Sequence, residues 1–256
     1  MLPVLFLSHG APTLPFDPIE ARNFFIQLGF DLPKPKAIVV FSAHWYERRP
    51  TVSASASPAT LHDYFGFPKD LYEMNYPAAG DPQLAVKIAT LLNDQDIPSL
   101  LDHQRGLDHG AWNPLLLMFP KADIPVLQIS LITGASEATH FALGKALLSL
   151  RKEGILFIAS GGAVHNLRAM DWQNGETPLW AKEFDLWLRE KIEAGDHNAL
   201  LNYKSQAPNA SLAHPIDDHL MPIFCALGAA GEDKKGRCLH HSFAFASLSM
   251  ATYRWG

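Results

Sequence analysis

The chain has 256 residues, with 21 Lys+Arg against 26 Asp+Glu and a formal net charge of -5. Hydrophobic residues at 48% and charged residues at 18% exclude a disordered chain and supply one large core. The mild acidity argues against nucleic acid as a partner, and two cysteines, Cys225 and Cys238, cannot build a disulfide framework or a thiolate metal site.

Met1 to Ser8 is apolar but has no basic start and is followed at once by the turn-forming His9-Gly10-Ala11-Pro12. It reads as a buried first strand of a cytoplasmic protein, not as a targeting segment. No run approaches the roughly 18 apolar residues of a membrane helix. Ala37 to Ser42, Pro125 to Leu131 and Ile155 to Ser160 are short, nearly continuous apolar runs, the pattern of strands covered on both faces. Thr51 to Ser57 alternates and predicts an edge or half-exposed strand. Asp81 followed by Pro82 predicts a capped helix through Leu92, and Ser136 caps a second one through Leu150. Pro178 to Ala194 carries Trp180, Phe184, Trp187, Leu188 and Ile192 at helical spacing. Tyr203 to Ala210 reads as a loop, Asp217 to Ala230 as a last helix with Cys225 packed inside, and Arg237 to Leu248 as one or two strands. The alternation predicts an α/β fold: a single domain, 1–256, with a central, largely buried mixed sheet flanked by helices.

Twelve histidines are the compositional excess. A metal in this chain would therefore take imidazole and carboxylate ligands. His9, His44 and His165 each follow a predicted strand, where α/β sheets place their ligand sites. His109 lies in the loop Asp108-His109-Gly110, and His219 follows Asp217-Asp218 at the start of the last helix. His140 and His197 read as solvated, and His240 and His241 as surface residues. His62 and His214 stand beside aromatic residues or proline and are kept as possible pocket residues. The chain has no phosphate-binding glycine loop, no Gly-x-Ser-x-Gly elbow and no His-Glu-x-x-His.

Six segments in order carry a family resemblance. They are Leu5-Phe6-Leu7-Ser8-His9-Gly10-Ala11-Pro12, Ser42-Ala43-His44-Trp45, His62-Asp63-Tyr64-Phe65-Gly66-Phe67-Pro68, Leu107-Asp108-His109-Gly110-Ala111-Trp112, Ser160-Gly161-Gly162-Ala163-Val164-His165-Asn166-Leu167 and Asp218-His219-Leu220-Met221-Pro222. The chain resembles the class III extradiol ring-cleavage dioxygenases, in the 4,5-DOPA extradiol dioxygenase-like branch. The resemblance implies an oxidoreductase that opens a catechol, DOPA-like or related, with O2 and non-haem Fe(II). It puts His9 and His44 on two metal-binding histidines and His219 near the superfamily's ligating glutamate. That replaces the carboxylate of the usual two-histidine set by a third imidazole and leaves Zn(II) credible. His165 falls on an active-site histidine that is acid/base in the wider superfamily and a metal ligand in some readings of this branch. His109 falls on another active-site histidine.

The chemistry suits these residue types. A catechol hydroxyl must lose a proton, and imidazole titrates near neutral pH. His165, with His109 as the other candidate, is the expected base. Trp45, His62, Tyr64 and Phe65 are the expected substrate-binding residues, with Trp45 also able to brace His44 and Asn166 able to cap a helix. A zinc hydrolase on the same histidines and a non-enzymatic metal-holding scaffold are the rival readings. A monomer without nucleic-acid or membrane partners is the default expectation.

Overall fold

The computed structural model describes residues 1–173 and 175–256. In chain order its strands and α-helices are β1 (Val4–Ser8), α1 (Glu20–Asp31), β2 (Ala37–Glu47), β3 (Thr51–Ser53), α2 (Pro82–Asn93), β4 (Leu100–Asp102), α3 (His109–Met118), β5 (Val126–Ile132), α4 (Glu137–Lys145), β6 (Ile155–Gly161), α5 (Leu179–Ala194), α6 (His197–Leu201), α7 (Tyr203–Gln206), α8 (Ala210–Ala213), α9 (Pro222–Ala230), β7 (Arg237–His240), β8 (Phe243–Ala244), β9 (Leu248–Ser249) and β10 (Thr252–Trp255). Eight strands form one mixed sheet in the order β4-β3-β5-β2-β6-β1-β10-β7. Its centre, β5-β2-β6-β1, is parallel, and β10 closes antiparallel on β1.

Strand alternation divides the core in two. Val4 and Phe6 of β1, Val39 and Phe41 of β2 and Phe157 of β6 face a layer with α2, α4, α5 and α9. Leu5 and Leu7, Ile38 and Val40, and Leu156 and Ile158 face the other layer, with α1 and α3. All these residues are fully buried, which is why the strands read as continuous apolar runs.

The structure revises several expectations. Thr51–Ser53 is buried and lies between β4 and β5, so it is no edge; its serine and threonine hydroxyls are small enough to pack inside. Ser53 Oγ accepts the Gln128 backbone N–H at 2.8 Å. The last helix starts only at Pro222, preceded by turn at residues 218–221. Tyr203–Gln206 and Ala210–Ala213 are short helices rather than loop. His140 is fully buried, with its Nε2 accepting the Ile132 N–H at 3.0 Å. His197 and His240 are half-buried, while His241 is exposed as expected and bonds the buried Asp185 at 2.6 Å.

Two features aim side chains at one end of the sheet. β2 runs on past Ser42 to Glu47, but its register with β5 slips: Phe41 pairs with Ile129 and Tyr46 with Leu131. The slack between them is a bulge that carries His44, and bulges re-aim side chains beside functional sites. The second feature is α3, where Asp108 is a helix N-cap that accepts the Ala111 N–H. His109 is thus the first residue of a helix and not part of a loop.

Candidate metal centre

Five imidazoles converge at the carboxyl ends of β1, β2 and β6. His9 follows β1, and its backbone N–H donates to the Gly161 carbonyl at the end of β6 (3.0 Å). His44 sits on the β2 bulge and His109 on the first turn of α3. His165 lies in the turn after β6, anchored from its N–H to the Ala213 carbonyl (3.1 Å). His219 lies before α9, with its carbonyl taking the Gly162 N–H (2.8 Å). That approach needs glycine at position 161, where an added Cβ would stand 2.0 Å from the His219 carbonyl oxygen. His9, His109 and His219 are buried, and His44 and His165 half-buried.

The rings of His9, His44 and His219 lie 4.9–5.4 Å apart, with planes crossing at 54° to 84°. His109 lies 4.0 Å from His44 and 5.4 Å from His9. His165 differs: it stacks on His219 at 3.5 Å with an angle of only 7° between planes. Donor atoms of His9, His44 and His109 fall within 4.8 Å of one another, as do those of His165, Asp218 and His219.

Acceptors fix the tautomers. The Ser160 hydroxyl donates to the Gly110 carbonyl, so its oxygen accepts His9 Nδ1–H at 2.9 Å. Gly110 can offer that carbonyl because Pro114, four residues on in α3, has no N–H to give it. The Asp63 carboxylate accepts His109 Nδ1–H at 3.0 Å and the His109 backbone N–H at 2.9 Å. Its second oxygen lies 3.4 Å from His44 Nδ1. The Asp218 carboxylate accepts His219 Nδ1–H at 2.8 Å. Each of these rings therefore turns its Nε2 lone pair inward, the arrangement metal-binding histidines share. His9 Nε2 lies 3.1 Å from His44 Nε2, close enough for one cation to take both nitrogens in place of the hydrogen bond between them.

Burial, with repulsion between neighbouring imidazoles, pushes His9 and His219 well below the ordinary histidine range. Burial likewise lowers His44, next to His109, to about 4, and His165 to about 4. Burial alone would raise Asp63, but the bonds from His109 and the nearby His44 hold it at about 2. Neutral imidazoles above an ionised carboxylate are a donor set ready for a transition metal, so the residues present fit a catalytic metal.

The histidines floor a cleft of about 320 Å³. Tyr64 lines it, edge-on to His109 at 5.6 Å, with its hydroxyl donating to the Leu71 carbonyl. Phe67, from the aromatic segment Tyr64-Phe65-Gly66-Phe67-Pro68 read as a pocket wall, lines it too; Met170 and Trp172 also line it, though their sequence positions gave no such signal. The other expected substrate residues lie elsewhere. Trp45 is buried under the Arg105 guanidinium, 5.0 Å from its ring, and braces the bulge. His62 donates to the Met74 carbonyl (3.0 Å) beside Trp112, and Phe65 is 92% exposed. His214, also held in reserve, is buried and donates to the Ala163 carbonyl. Asn166 caps the turn after His165, accepting the Arg168 N–H. Asp217 is drawn away by Lys204 at 2.6 Å. Asp63 and Ser160 are the residues sequence reasoning passed over. The only available sign was a carboxylate or hydroxyl inside the same histidine-bearing segments.

Residues 24–256 match the family described as the catalytic LigB subunit of aromatic ring-opening dioxygenase. The chain is 41% identical to the 4,5-DOPA dioxygenase extradiol of Portulaca grandiflora, over 98% of this chain and 94% of that protein. It is 39% identical to that of Beta vulgaris (98% and 95% covered) and 37% identical to that of Escherichia coli K12 (100% and 95%). A crystal structure of an uncharacterized protein from Escherichia coli K12 superposes over the whole of both chains, with a TM-score of 0.83 at 34% identity. With the imidazole cluster seated where an α/β sheet presents its ligands, this chain belongs to the family of catalytic LigB subunits of aromatic ring-opening dioxygenases.

Proposed function

We propose that this dioxygenase opens a catechol, DOPA-like or a related substituted one, by extradiol cleavage, with its metal held by His9, His44 and His219 and its proton handled by His165. The observation that carries the division of labour is the stack of His165 on His219. A metal lies near the plane of each imidazole that binds it. Planes 7° apart and 3.5 Å from each other share no point near either ring, whereas the planes of His9, His44 and His219 cross steeply. On that ground we read His165 as standing beside the metal rather than binding it.

Non-haem Fe(II) bound there would supply the redox chemistry that O2 requires, which Zn(II) in the same imidazoles lacks. The chain's own residues do the rest. His165, neutral at pH 7, accepts a proton from a catechol hydroxyl on its ring nitrogen and returns it later in the reaction. His109, with Nδ1–H committed to Asp63, presents Nε2 as a hydrogen-bond acceptor for the second hydroxyl. Tyr64 and Phe67 wall the ring and exclude water. We read the whole chain, 1–256, as one catalytic domain acting as a cytoplasmic monomer. Among the described residues no helix is long and apolar enough to cross a membrane.

The test is oxygen uptake with a catechol after anaerobic loading with Fe(II) or Zn(II), followed by metal analysis of single variants. Fe(II)-loaded protein should consume O2 and form a yellow ring-fission product. His165→Ala should keep its metal and lose turnover by about 100-fold or more. His9→Ala, His44→Ala and His219→Ala should lose the metal. Metal loss in His165→Ala would move that residue into the ligand set, and no catechol consumed with either metal would end the dioxygenase reading.

A further inference from the structure

We infer that Arg105 and Asp108 act as one positioning pair that sets His44 against His109, so that the metal and the acceptor for the second catechol hydroxyl stand at a fixed spacing; this rests on the ring-opening reading above. A residue on a bulge has lost its strand neighbours, so its backbone groups need other partners. The registers of β2 with β5 and β6 pair no residue with His44. Its N–H donates to Ser42 Oγ at 3.2 Å, and its carbonyl accepts from Arg105 Nη2 at 3.4 Å. Both holds lead to Asp108. The Ser42 hydroxyl donates to Asp108 Oδ1 at 2.6 Å, and Arg105 Nη2 donates to Asp108 Oδ2 at 2.9 Å.

The same carboxylate sets the other histidine. Asp108 Oδ1 accepts the Ala111 N–H at 3.2 Å as the N-cap of α3, and α3 begins with His109. Gln128 of β5 completes the set. Its Nε2 donates to Asp108 Oδ2 at 2.7 Å, and its Oε1 accepts the Asp108 N–H at 3.1 Å. One fully buried carboxylate thus ties β2, β5 and α3 together next to His44 and His109, whose rings lie 4.0 Å apart. Held by charged and neutral donors at once, it has little freedom to shift.

Arg105 is placed for this task rather than for its own donors. Its Nε is buried without a partner, while Nη2 serves two acceptors. The guanidinium lies over the Trp45 ring at 5.0 Å, which fixes its direction. Arg105, Asp108 and Ser42 do not line the cleft, so they act through the two histidines and not on the substrate. A lysine at position 105 would keep a charge opposite Asp108, but it is shorter and has neither the planar fork nor the flat face.

The full chain is loaded with Co(II) under nitrogen, and Co(II) affinity and visible absorption are compared across Arg105→Lys, Ser42→Ala and the double variant. The Co(II) bands report how the ligands are arranged, whether or not a catechol is turned over. Each single variant should bind Co(II) about tenfold more weakly and shift the bands. The double variant should be about as weak as the worse single one, since both changes act through one carboxylate. With Fe(II) in air, kcat should fall about 10- to 100-fold and KM stay within about threefold, because the reacting groups are misplaced while the substrate is still held. Arg151→Lys controls for lost stability: Arg151 is buried, binds Asp233 at 3.0 Å and lies outside the cleft. It should lower Tm yet leave Co(II) affinity within about twofold and the bands unmoved. Unchanged affinity and bands in both Arg105→Lys and Ser42→Ala overturn the inference. So do effects that add in full in the double variant, or an equal loss of affinity in Arg151→Lys. If the unaltered chain opens no catechol, the ring-opening reading falls, while the Co(II) measurements still decide the role of the pair.

Discussion

At Pro114 the helix α3 forgoes one internal hydrogen bond, and that loss reaches His9 through two other residues. The freed Gly110 carbonyl takes the Ser160 hydroxyl, whose oxygen then accepts His9 Nδ1–H and leaves Nε2 unprotonated. Pro114→Ala restores an N–H that competes for the Gly110 carbonyl. The variant should melt at a higher temperature, since proline inside a helix is unfavourable, yet bind metal about tenfold more weakly. Calorimetry and titration against a chelator check the two halves separately. Asp63 acts at the same scale on two rings at once. Asp63→Asn keeps the shape and removes the charge, and kcat/KM should fall about 10- to 100-fold with little change in Tm. Steady-state kinetics beside a melting curve distinguish this from unfolding. Four of the five histidines were legible in the sequence because each stands near a strand end or a glycine, and His219 because it follows two aspartates at the start of an expected helix. Asp63 and Ser160 were not, because a carboxylate forty-odd positions from its partner in the chain has no local pattern to announce it.

Among elements, those with regular periodicity were legible and those that bend to serve the site were not. The apolar runs of β1, β2, β5 and β6 and the caps at Asp81 and Ser136 all appear where composition puts them. The helix α3 was masked by its own function: Gly110 near its start and Pro114 in its interior both read as breakers. Gly110 is needed because a Cβ there would stand 2.5 Å from Ser42 Oγ and 3.0 Å from His44 Cδ2. The bulge on β2 was also hidden, since slack in one strand is defined only against the register of its neighbour. The turn that carries His219 depends on a similar close approach at Gly161. Gly161→Ala should drive the turn away from β6, lose the metal, and cost about 1–3 kcal/mol of stability by urea denaturation. Retention of metal at normal stoichiometry would show that the turn tolerates the displacement.

Across the whole molecule, buried imidazoles link stability to acidity. His44, His165 and His214 titrate at about 4 in the folded chain, against about 6.5 when exposed in an unfolded one. Burial is the leading cause in each case. Below pH 6.5 the unfolded state therefore binds protons that the folded state refuses, so their contribution is full above that pH and is lost as pH falls toward 4. His241, raised by its bond to Asp185, works in the opposite direction but is a single group. The metal-free protein should show a melting temperature that drops steeply between pH 6.5 and 4 at constant ionic strength. A flat profile across that window would mean the site opens and hydrates without unfolding. The sheet order carries one more consequence. β10, residues 252–255, pairs with β1 in the sheet's interior, and His9 directly follows β1. On a ribosome those residues emerge after every histidine of the cluster. A nascent chain thus carries the full set of ligands before it has the strand that backs the first of them. Its competence to capture a metal therefore waits on residues 252–255, which are made after every ligand.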